Sequence, residues 1–401
     1  MKAHVLILAD GRSPTTCDWI KNIQAMNYQV SLISTFVCER MEGLANFHIL
    51  PTAFSRYTRN NPSHGKTRSG SWIGSWVSLF SPVFQTLRYL LGPLTLPRIS
   101  VEYQHMVAAI QPDLVHALRV PFEGMLASFT PAGIPLLAAI WGNDLTLHAR
   151  ASLPMRRWTR RCLSRVDGLS ADTHRDLQLA QEWGLGPDSP TLFVPGSGGL
   201  DLEGIRLAGA FDPSRYGLPT TGPWIVNPRG IRPGSVHQKD FFTAIPKIIL
   251  KYPQAVFIFP GLQGKRAVEG WVRKMGISEN VFLLPQLPQT ELWALMKRSP
   301  LFVSPSSHDG TPNSFLEALA CGCFPVVGNI DSLREWVQPG ENGLLVDPRD
   351  PDALAEAILW GLSHPGIRQT AAEINLALVE DKAARAATRP RIDAFYKQFL
   401  N

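Results

Sequence analysis

The stretch Ser304-Pro-Ser-Ser-His-Asp309-Gly-Thr-Pro-Asn-Ser314-Phe-Leu-Glu317-Ala-Leu-Ala-Cys-Gly322-Cys-Phe-Pro325 contains, in order, a strand end, a loop, a short helix and the start of another strand. The apolar run Leu301–Ser304 leads into it, a helix is expected from about Ser314, and Gly322 stops that helix before the run Pro325–Val327. Two buried strands joined by a helix make a parallel sheet unit, whose ligands bind beyond the carboxyl ends of the strands. Here the amides of Gly310 to Ser314 and the helix N-terminus point outward together, which makes an anion site that fits a diphosphate. Gly310 permits close backbone approach, and Ser314 adds a hydroxyl donor. Glu317 stands among Phe315, Leu316, Ala318 and Leu319 and needs a partner, for which ribose hydroxyls are suited. Two local alternatives stay open: Ser314-x-x-Glu317 is also a capping box, and Asp309-Gly310 is also a turn pair.

The same alternation runs through the rest of the chain. Expected strands are His4–Leu8, Gln29–Ile33, Leu114–Ala117, Pro135–Ile140 and Leu192–Val194 in the first half. In the second half they are Trp224–Asn227, Ala255–Phe259, Val281–Leu284, Leu301–Ser304, Pro325–Val327 and Gly343–Val346. Continuous apolar runs separated by helical lengths indicate parallel sheets covered on both faces. At 401 residues two domains are expected. The Gly- and Pro-rich stretch 196–219 is the linker between a domain at 1–195 and another at 220–385. Residues 386–401 form a last helix whose Ile392, Phe395, Tyr396, Phe399 and Leu400 make one apolar face. That helix is expected to return to the first domain, with Pro390 just inside its start.

Composition narrows the class. A 45% hydrophobic content with 18% charged residues describes a folded globular protein rather than a disordered one. Met1-Lys2 precedes a five-residue apolar stretch ending before Asp10, too short for a secretory signal, so a cytoplasmic location is expected. The five cysteines show no metal-type spacing, and no Asp-x-Asp motif lies in a promising loop; no metal is expected. Of the formal net charge of +6, residues 1–200 carry +5, from 18 Lys and Arg against 13 Asp and Glu. Residues 51–100 hold six basic side chains and no acidic one, beside the Trp- and Phe-bearing run Ser71–Phe84. Pro82, Gly92 and Pro93 argue against a spanning helix. Peripheral contact with an anionic membrane suits this window, and so does a core helix whose Arg residues face water. Nucleic acid is not expected, because no Arg/Lys–aromatic module occurs.

The opening stretch resembles the signature of the retaining GT-B glycosyltransferases of the family-four group. In that signature an acidic residue, seven others and a Glu precede A-x-A-x-G-x-P-V-V; here the acids are Asp309 and Glu317, followed by Ala318 to Val327. The family usually has Glu where this chain has Asp309. Glu335-Trp336-Val337 and Pro339 to Val346 continue the likeness, which covers the second domain and more weakly the first. The resemblance implies the GT-B fold, two Rossmann-like parallel-sheet domains facing across a cleft. It implies donor contacts at Asp309, Gly310, Thr311, Pro312, Asn313, Ser314 and Glu317. It also implies an Arg and a Lys on the phosphates after the first strand of the second domain. Arg229 matches the first; Lys239 is chosen for the second, with Arg232 as rival and further donor contact. Base recognition is expected from the loop Pro285–Pro288.

In the first domain, Asp10–Pro14 resembles the family's N-terminal loop, where Gly11 would admit the acceptor or sugar. Pro112 to Arg119 resembles P-D-x-V-H-x-H. His116 is its first histidine, a catalytic candidate or a structural one, and Leu118 replaces the second. Arg119, and Asp144 of the Trp141-Gly-Asn-Asp144 turn, are acceptor-side candidates; Asp144 is equally a helix cap. The function implied is retaining transfer of a sugar from a UDP- or GDP-sugar to a glycan, lipid-linked or small-molecule acceptor, in bacterial surface polysaccharide synthesis at the inner face of the membrane. The nucleotide sugar is a co-substrate, and no other cofactor is implied. A non-catalytic nucleotide-binding subunit that supports a partner enzyme is the alternative, and a phosphorylase or sugar-phosphate synthase on the same fold a third.

Overall fold

The computed structural model describes residues 2–55 and 81–400. Two compact units emerge: Met1–Gly199 with Thr388–Asn401, and Leu200–Ala387.

The first unit is built on strands β1 (His4–Ala9), β2 (Gln29–Ser34), β3 (Phe47–Ile49), β4 (Leu114–Leu118), β5 (Leu136–Ile140), β6 (Gly168–Ala171) and β7 (Thr191–Phe193). All pair in parallel, in the order β3-β2-β1-β4-β5-β6-β7. Strand β1 shows why the run had to be apolar throughout. Leu6 and Leu8 enter one core layer, Val5, Ile7 and Ala9 the other, and none of the five is exposed. The second layer is closed by Ile392, Phe395 and Tyr396 of the helix Arg385–Lys397, so the chain terminus is part of this unit's core.

The second unit contains β8 (Trp224–Val226), β9 (Val256–Pro260), β10 (Val281–Leu284), β11 (Leu301–Ser304), β12 (Phe324–Gly328) and β13 (Leu344–Val346). Their order is β10-β9-β8-β11-β12-β13, again all parallel. Counted within the unit this is 3-2-1-4-5-6, the doubly wound order, with its switch point between β8 and β11. A crevice at that point exists because connections leave the two strands in opposite directions across the sheet.

Several expectations change. Strands β3 and β6 were not foreseen: one is a three-residue edge, the other the small-residue run Gly-Leu-Ser-Ala. The stretch expected as a linker divides at Gly199–Leu200. Beyond that point it is structured, with a helix at Leu202–Leu207 capped by Asp201 and a 3-10 turn at Pro213–Tyr216. The last helix begins at Arg385, where the Arg385 amide donates to the Leu200 carbonyl at 3.0 Å, so Pro390 lies inside the helix rather than at its start. Among the described residues no helix is long and apolar enough to cross a membrane.

Candidate functional site

The second unit's site grows from the ends of β8 and β11. Beyond β8, the buried amides of Asn227 and Gln238 bond reciprocally, Nδ2 to Oε1 at 3.0 Å and Nε2 to Oδ1 at 3.2 Å. Gln238 also donates to the Gly230 carbonyl at 2.8 Å, and Asn227 Oδ1 accepts the Arg229 amide at 2.9 Å. This clasp holds the backbone of residues 227–230 against the first residue of the helix Gln238–Lys251. Beyond β11, the second loop is fastened to the first. The His237 amide donates to the Pro305 carbonyl at 2.8 Å, the Ser307 amide to the Ser235 carbonyl at 2.8 Å, and His237 Nε2 meets Ser307 Oγ at 3.0 Å.

Arg229 therefore reaches the second loop from a fixed base. Its side chain is 5% exposed and pairs through Nη2 with Asp309, itself 12% exposed. Its Nη1 lies 3.4 Å from Ser314 Oγ, while Nε is buried with no hydrogen-bond partner among the described residues. Asp309 is fixed through its backbone, because Ser332 Oγ donates to its carbonyl at 2.8 Å. Thr311 is held by Trp336, whose Nε1–H donates to Oγ1 at 3.0 Å. Two positions of the sequence motif thus meet one cation: Arg229 touches Asp309 and Ser314, and Ser314 stands in the first turn of the helix Asn313–Ala320.

That helix settles the local alternatives. Its N-cap is Pro312, which offers no side-chain acceptor. The capping box does not form, because the helix starts one residue before Ser314. Glu317 instead accepts a bond from Gln289 Nε2 at 2.7 Å, and is half-buried. Lys239 and Arg232 are exposed, Lys239 in the first turn of its helix. The Pro285 carbonyl accepts from the Gly261 amide at 3.0 Å, fixing the start of the loop Pro285–Pro288.

Residues the sequence did not single out carry much of this geometry. At Gly328, which ends β12, a Cβ would stand 1.9 Å from the Ser306 carbonyl oxygen, so only glycine lets the Ser304–Asp309 loop lie there. Its signal was a glycine closing an otherwise branched strand. The Asn227–Gln238 clasp and Ser332 left no such mark.

In the first unit the strand ends carry a second polar group. Arg119 donates to Asp144 Oδ1 from Nε at 3.1 Å and Nη2 at 2.6 Å. Asp144 is fully buried, and its Oδ2 accepts the amides of Val120 at 3.3 Å and Trp141 at 3.2 Å. Its carboxylate ties the turns after β4 and β5 together; the N-cap of the short helical turn Asp144–His148 is Asn143. Glu123, which follows in a kinked turn with Phe122 at φ 66°, is buried and accepts from Thr35 Oγ1 at 2.6 Å. Burial pushes its carboxyl up to about 7, against the smaller pull of the Thr35 bond and of Arg119 and Arg88. At Gly11 a Cβ would meet Cys38 Sγ at 2.6 Å and Ser34 Oγ at 2.9 Å, so the close approach there is to the protein's own side chains.

His116 is fully buried in β4 between Trp19 and Tyr396, at ring distances of 5.2 and 5.7 Å. Trp19 Nε1–H donates to Tyr396 Oη at 3.1 Å, which leaves the Tyr396 proton for His116 Nδ1 at 2.8 Å. Burial pulls the imidazole down to about 3, so the ring is neutral. These are the surroundings of a structural histidine. Leu118, in the place of the second histidine, is also core.

Among the described residues no three His, Cys, Asp or Glu side chains group as metal ligands. The expectation of membrane contact through residues 51–100 falls partly on 56–80, which lie outside the described residues.

Residues 231–375 match the family described as Glycosyl transferases group 1. The O-antigen chain mannosyltransferase B of Escherichia coli is 33% identical over 127 residues, 32% of this chain and 30% of that protein. The curated relatives are matched over 22–35% of their own length. Over nearly the whole chain the fold is similar to sucrose-phosphate synthase from Thermosynechococcus elongatus, with a TM-score of 0.72, 16% identity and 99% of both chains covered. It is also similar to HepE of Anabaena in complex with UDP, with a TM-score of 0.69, 15% identity, 99% of this chain and 100% of that one covered. The fold is therefore GT-B, with two Rossmann-like parallel-sheet units.

Proposed function

We propose, from the match of residues 231–375 to the glycosyl transferases group 1 family, that the chain is a retaining, metal-independent glycosyltransferase. It moves a hexose or related sugar from a UDP- or GDP-sugar to a glycan, lipid-linked or small-molecule acceptor, in bacterial surface polysaccharide synthesis on the cytoplasmic side of the membrane. The observation that carries the reading is Arg229, held at the switch point of the second unit against Asp309 and Ser314, beside the N-terminus of the helix Asn313–Ala320, whose N-cap is Pro312. A guanidinium and outward helix amides are what a departing diphosphate requires, since charge grows on its oxygens as the glycosidic bond opens. Lys239, with Arg232 as the alternative, supplies the second cation from the neighbouring loop and helix. Glu317 takes the ribose hydroxyls, and residues 309–314 line the donor.

Reaction begins with stretching of the anomeric C–O bond toward an oxocarbenium-like state. The phosphate oxygen that leaves accepts the acceptor hydroxyl's proton, and the acceptor oxygen bonds the anomeric carbon from the same face. In the first unit, Gly11, Arg119 and Asp144 shape the acceptor side, with Asp144 holding Arg119 in place. His116, neutral and bonded to Tyr396, acts by positioning β4 rather than by exchanging protons.

The test is release of nucleoside diphosphate from a panel of UDP-, GDP- and dTDP-sugars, with membrane and glycan extracts as acceptors. Turnover of one donor that Arg229→Ala abolishes is expected; no turnover of any donor overturns the catalytic reading. A non-catalytic nucleotide-binding subunit is the second reading, favoured by Leu118 in the core and by Asp309 occupying Arg229. Binding of UDP or GDP without turnover would select it.

A further inference from the structure

The first unit presents an exposed face made of none of the residues assigned above to the donor or the acceptor. The helix Ser81–Leu91 and the 3-10 turn Gly92–Thr95 after it leave Leu87, Leu90, Leu91 and Leu94 between 43% and 61% exposed. The first three share one helix face at i, i+3 and i+4. Both elements pack against the helix Leu153–Arg165, and Ser152 Oγ donates to the Tyr89 carbonyl at 2.7 Å, which fixes the start of that helix beside them. Leu153 is 78% exposed. On its face, at i+3, i+4 and i+7, stand Arg156, Arg157 and Arg160, all exposed, and Arg150 lies just before.

The charge is of one sign. No Asp or Glu occurs between residues 81 and 101 or between 145 and 166, while those spans contain Arg88, Arg98, Arg150, Arg156, Arg157, Arg160, Arg161 and Arg165. Some of these are occupied locally: Arg161 lies over Phe129 at 4.7 Å and Arg165 pairs with Asp167. Arg156 and Arg157 make no ion pair among the described residues. A fold gains nothing internally from leaving five leucines in water beside uncompensated arginines. A bilayer with anionic headgroups satisfies both features: phosphates take the guanidiniums, and the acyl boundary takes the leucines. A protein partner would need matching acids around an apolar knob, and a nucleic acid would leave the leucines wet.

We propose that the face formed by Leu87, Leu90, Leu91, Leu94, Leu153, Arg156 and Arg157 docks the protein on an anionic lipid surface, lying on it without crossing it. This face shares no residue with the donor site, so either can fail alone.

The test is co-sedimentation of the full chain with vesicles of equal phosphatidylglycerol and phosphatidylcholine, and with phosphatidylcholine alone. Binding to the anionic vesicles, weakened at least tenfold between 0.1 and 0.5 M salt, is expected. Arg156→Gln with Arg157→Gln lowers that partitioning about thirtyfold, and Leu90→Ser with Leu94→Ser roughly tenfold. Arg273→Gln with Lys274→Gln, in the second unit, leaves it unchanged. The arginine variant keeps the wild-type melting midpoint and any nucleotide-induced shift, which shows that it is folded. Equal binding to neutral vesicles, no binding, or an arginine variant that binds like the wild type would overturn the proposal. So would duplex DNA binding through these arginines without vesicle binding.

Discussion

Replacing Asp309 by Asn separates two roles that one ion pair now combines. Arg229 and Asp309 are nearly buried, at 5% and 12% exposure, and the remaining guanidinium contacts are a 3.4 Å approach to Ser314 and an unpartnered Nε. Neutralising the carboxylate leaves the guanidinium without a counter-charge, and breaking such a pair costs about 3–5 kcal/mol. Asn keeps the shape and one acceptor, so the lower end applies, about 3 kcal/mol. For a unit of this size that is a fall of about 6–12 °C in melting midpoint. Nucleoside diphosphate binding moves the other way. A carboxylate about 6 Å from a phosphate charge repels it by roughly 3 kcal/mol at an effective dielectric of 20. Part of that repulsion is offset by the shared guanidinium. Relief of even half tightens binding about tenfold. UDP or GDP, which lack the transferred sugar, are the right ligands, because any contact of Asp309 with that sugar then does not enter. Differential scanning calorimetry with titration calorimetry would read both effects. A variant that melts within about 1 °C of the wild type and binds UDP and GDP with unchanged affinity would refute the coupling of the pair to the phosphate site.

Three further outcomes are expected. Glu317→Ala should weaken nucleotide binding about tenfold to a hundredfold, the worth of one or two hydrogen bonds to a charged group, with little change in melting because Glu317 is half-buried and its bond to Gln289 is solvent-exposed. Gly328→Ala, whose Cβ would meet the Ser306 oxygen at 1.9 Å, should displace the Ser304–Asp309 loop, abolish nucleotide binding in calorimetry and cost about 3 kcal/mol or more. Glu123→Gln should change the pH dependence of stability. A carboxyl raised from 4.5 to about 7 keeps its proton longer in the folded state, so stability is full below the unfolded value and falls as pH rises from 4.5 to 7. The fall is about 3 kcal/mol. The buried, neutral His116 and His148, each pulled down to about 3, slope the opposite way below pH 6.5. The quantity to measure is therefore the difference between wild type and variant in urea unfolding at pH 4.5 and 7.5. A difference that stays constant across that range would contradict a raised Glu123.

What could be read from the chain followed the range over which each feature is determined. Strand β1 was legible because both faces of the sheet are covered and every one of its residues from Val5 to Ala9 had to be apolar. Strand β6 was not, because Gly168 and Ser170 sit in a tight layer where bulk is excluded: a Cβ on Gly168 would meet Phe399 at 2.6 Å. The donor-loop motif was legible as strand, loop and helix, since Gly310, Pro312 and Gly322 mark its turns locally. Which residue Asp309 would meet was not, because Arg229 lies 80 positions away and is brought there by sheet order. Gly11 was read as room for the acceptor or sugar; that Cys38 and Ser34 also crowd it was not legible, because both lie more than 20 positions away. Asp144 had been a choice between substrate contact and helix cap; it holds Arg119 and two backbone amides.

The central claim is that the second unit binds a nucleoside diphosphate through Arg229. It is tested most directly by thermal denaturation of the full chain against UDP, GDP, ADP and dTDP, with the corresponding nucleosides as controls and Arg229→Ala in parallel. At a hundredfold excess over Kd a bound nucleotide adds about 2.7 kcal/mol, or about 5–11 °C. One diphosphate should raise the midpoint by that amount, its nucleoside much less, and Arg229→Ala should lose the shift. If no diphosphate stabilises the protein at millimolar concentration, or if Arg229→Ala retains the full shift, the account is wrong.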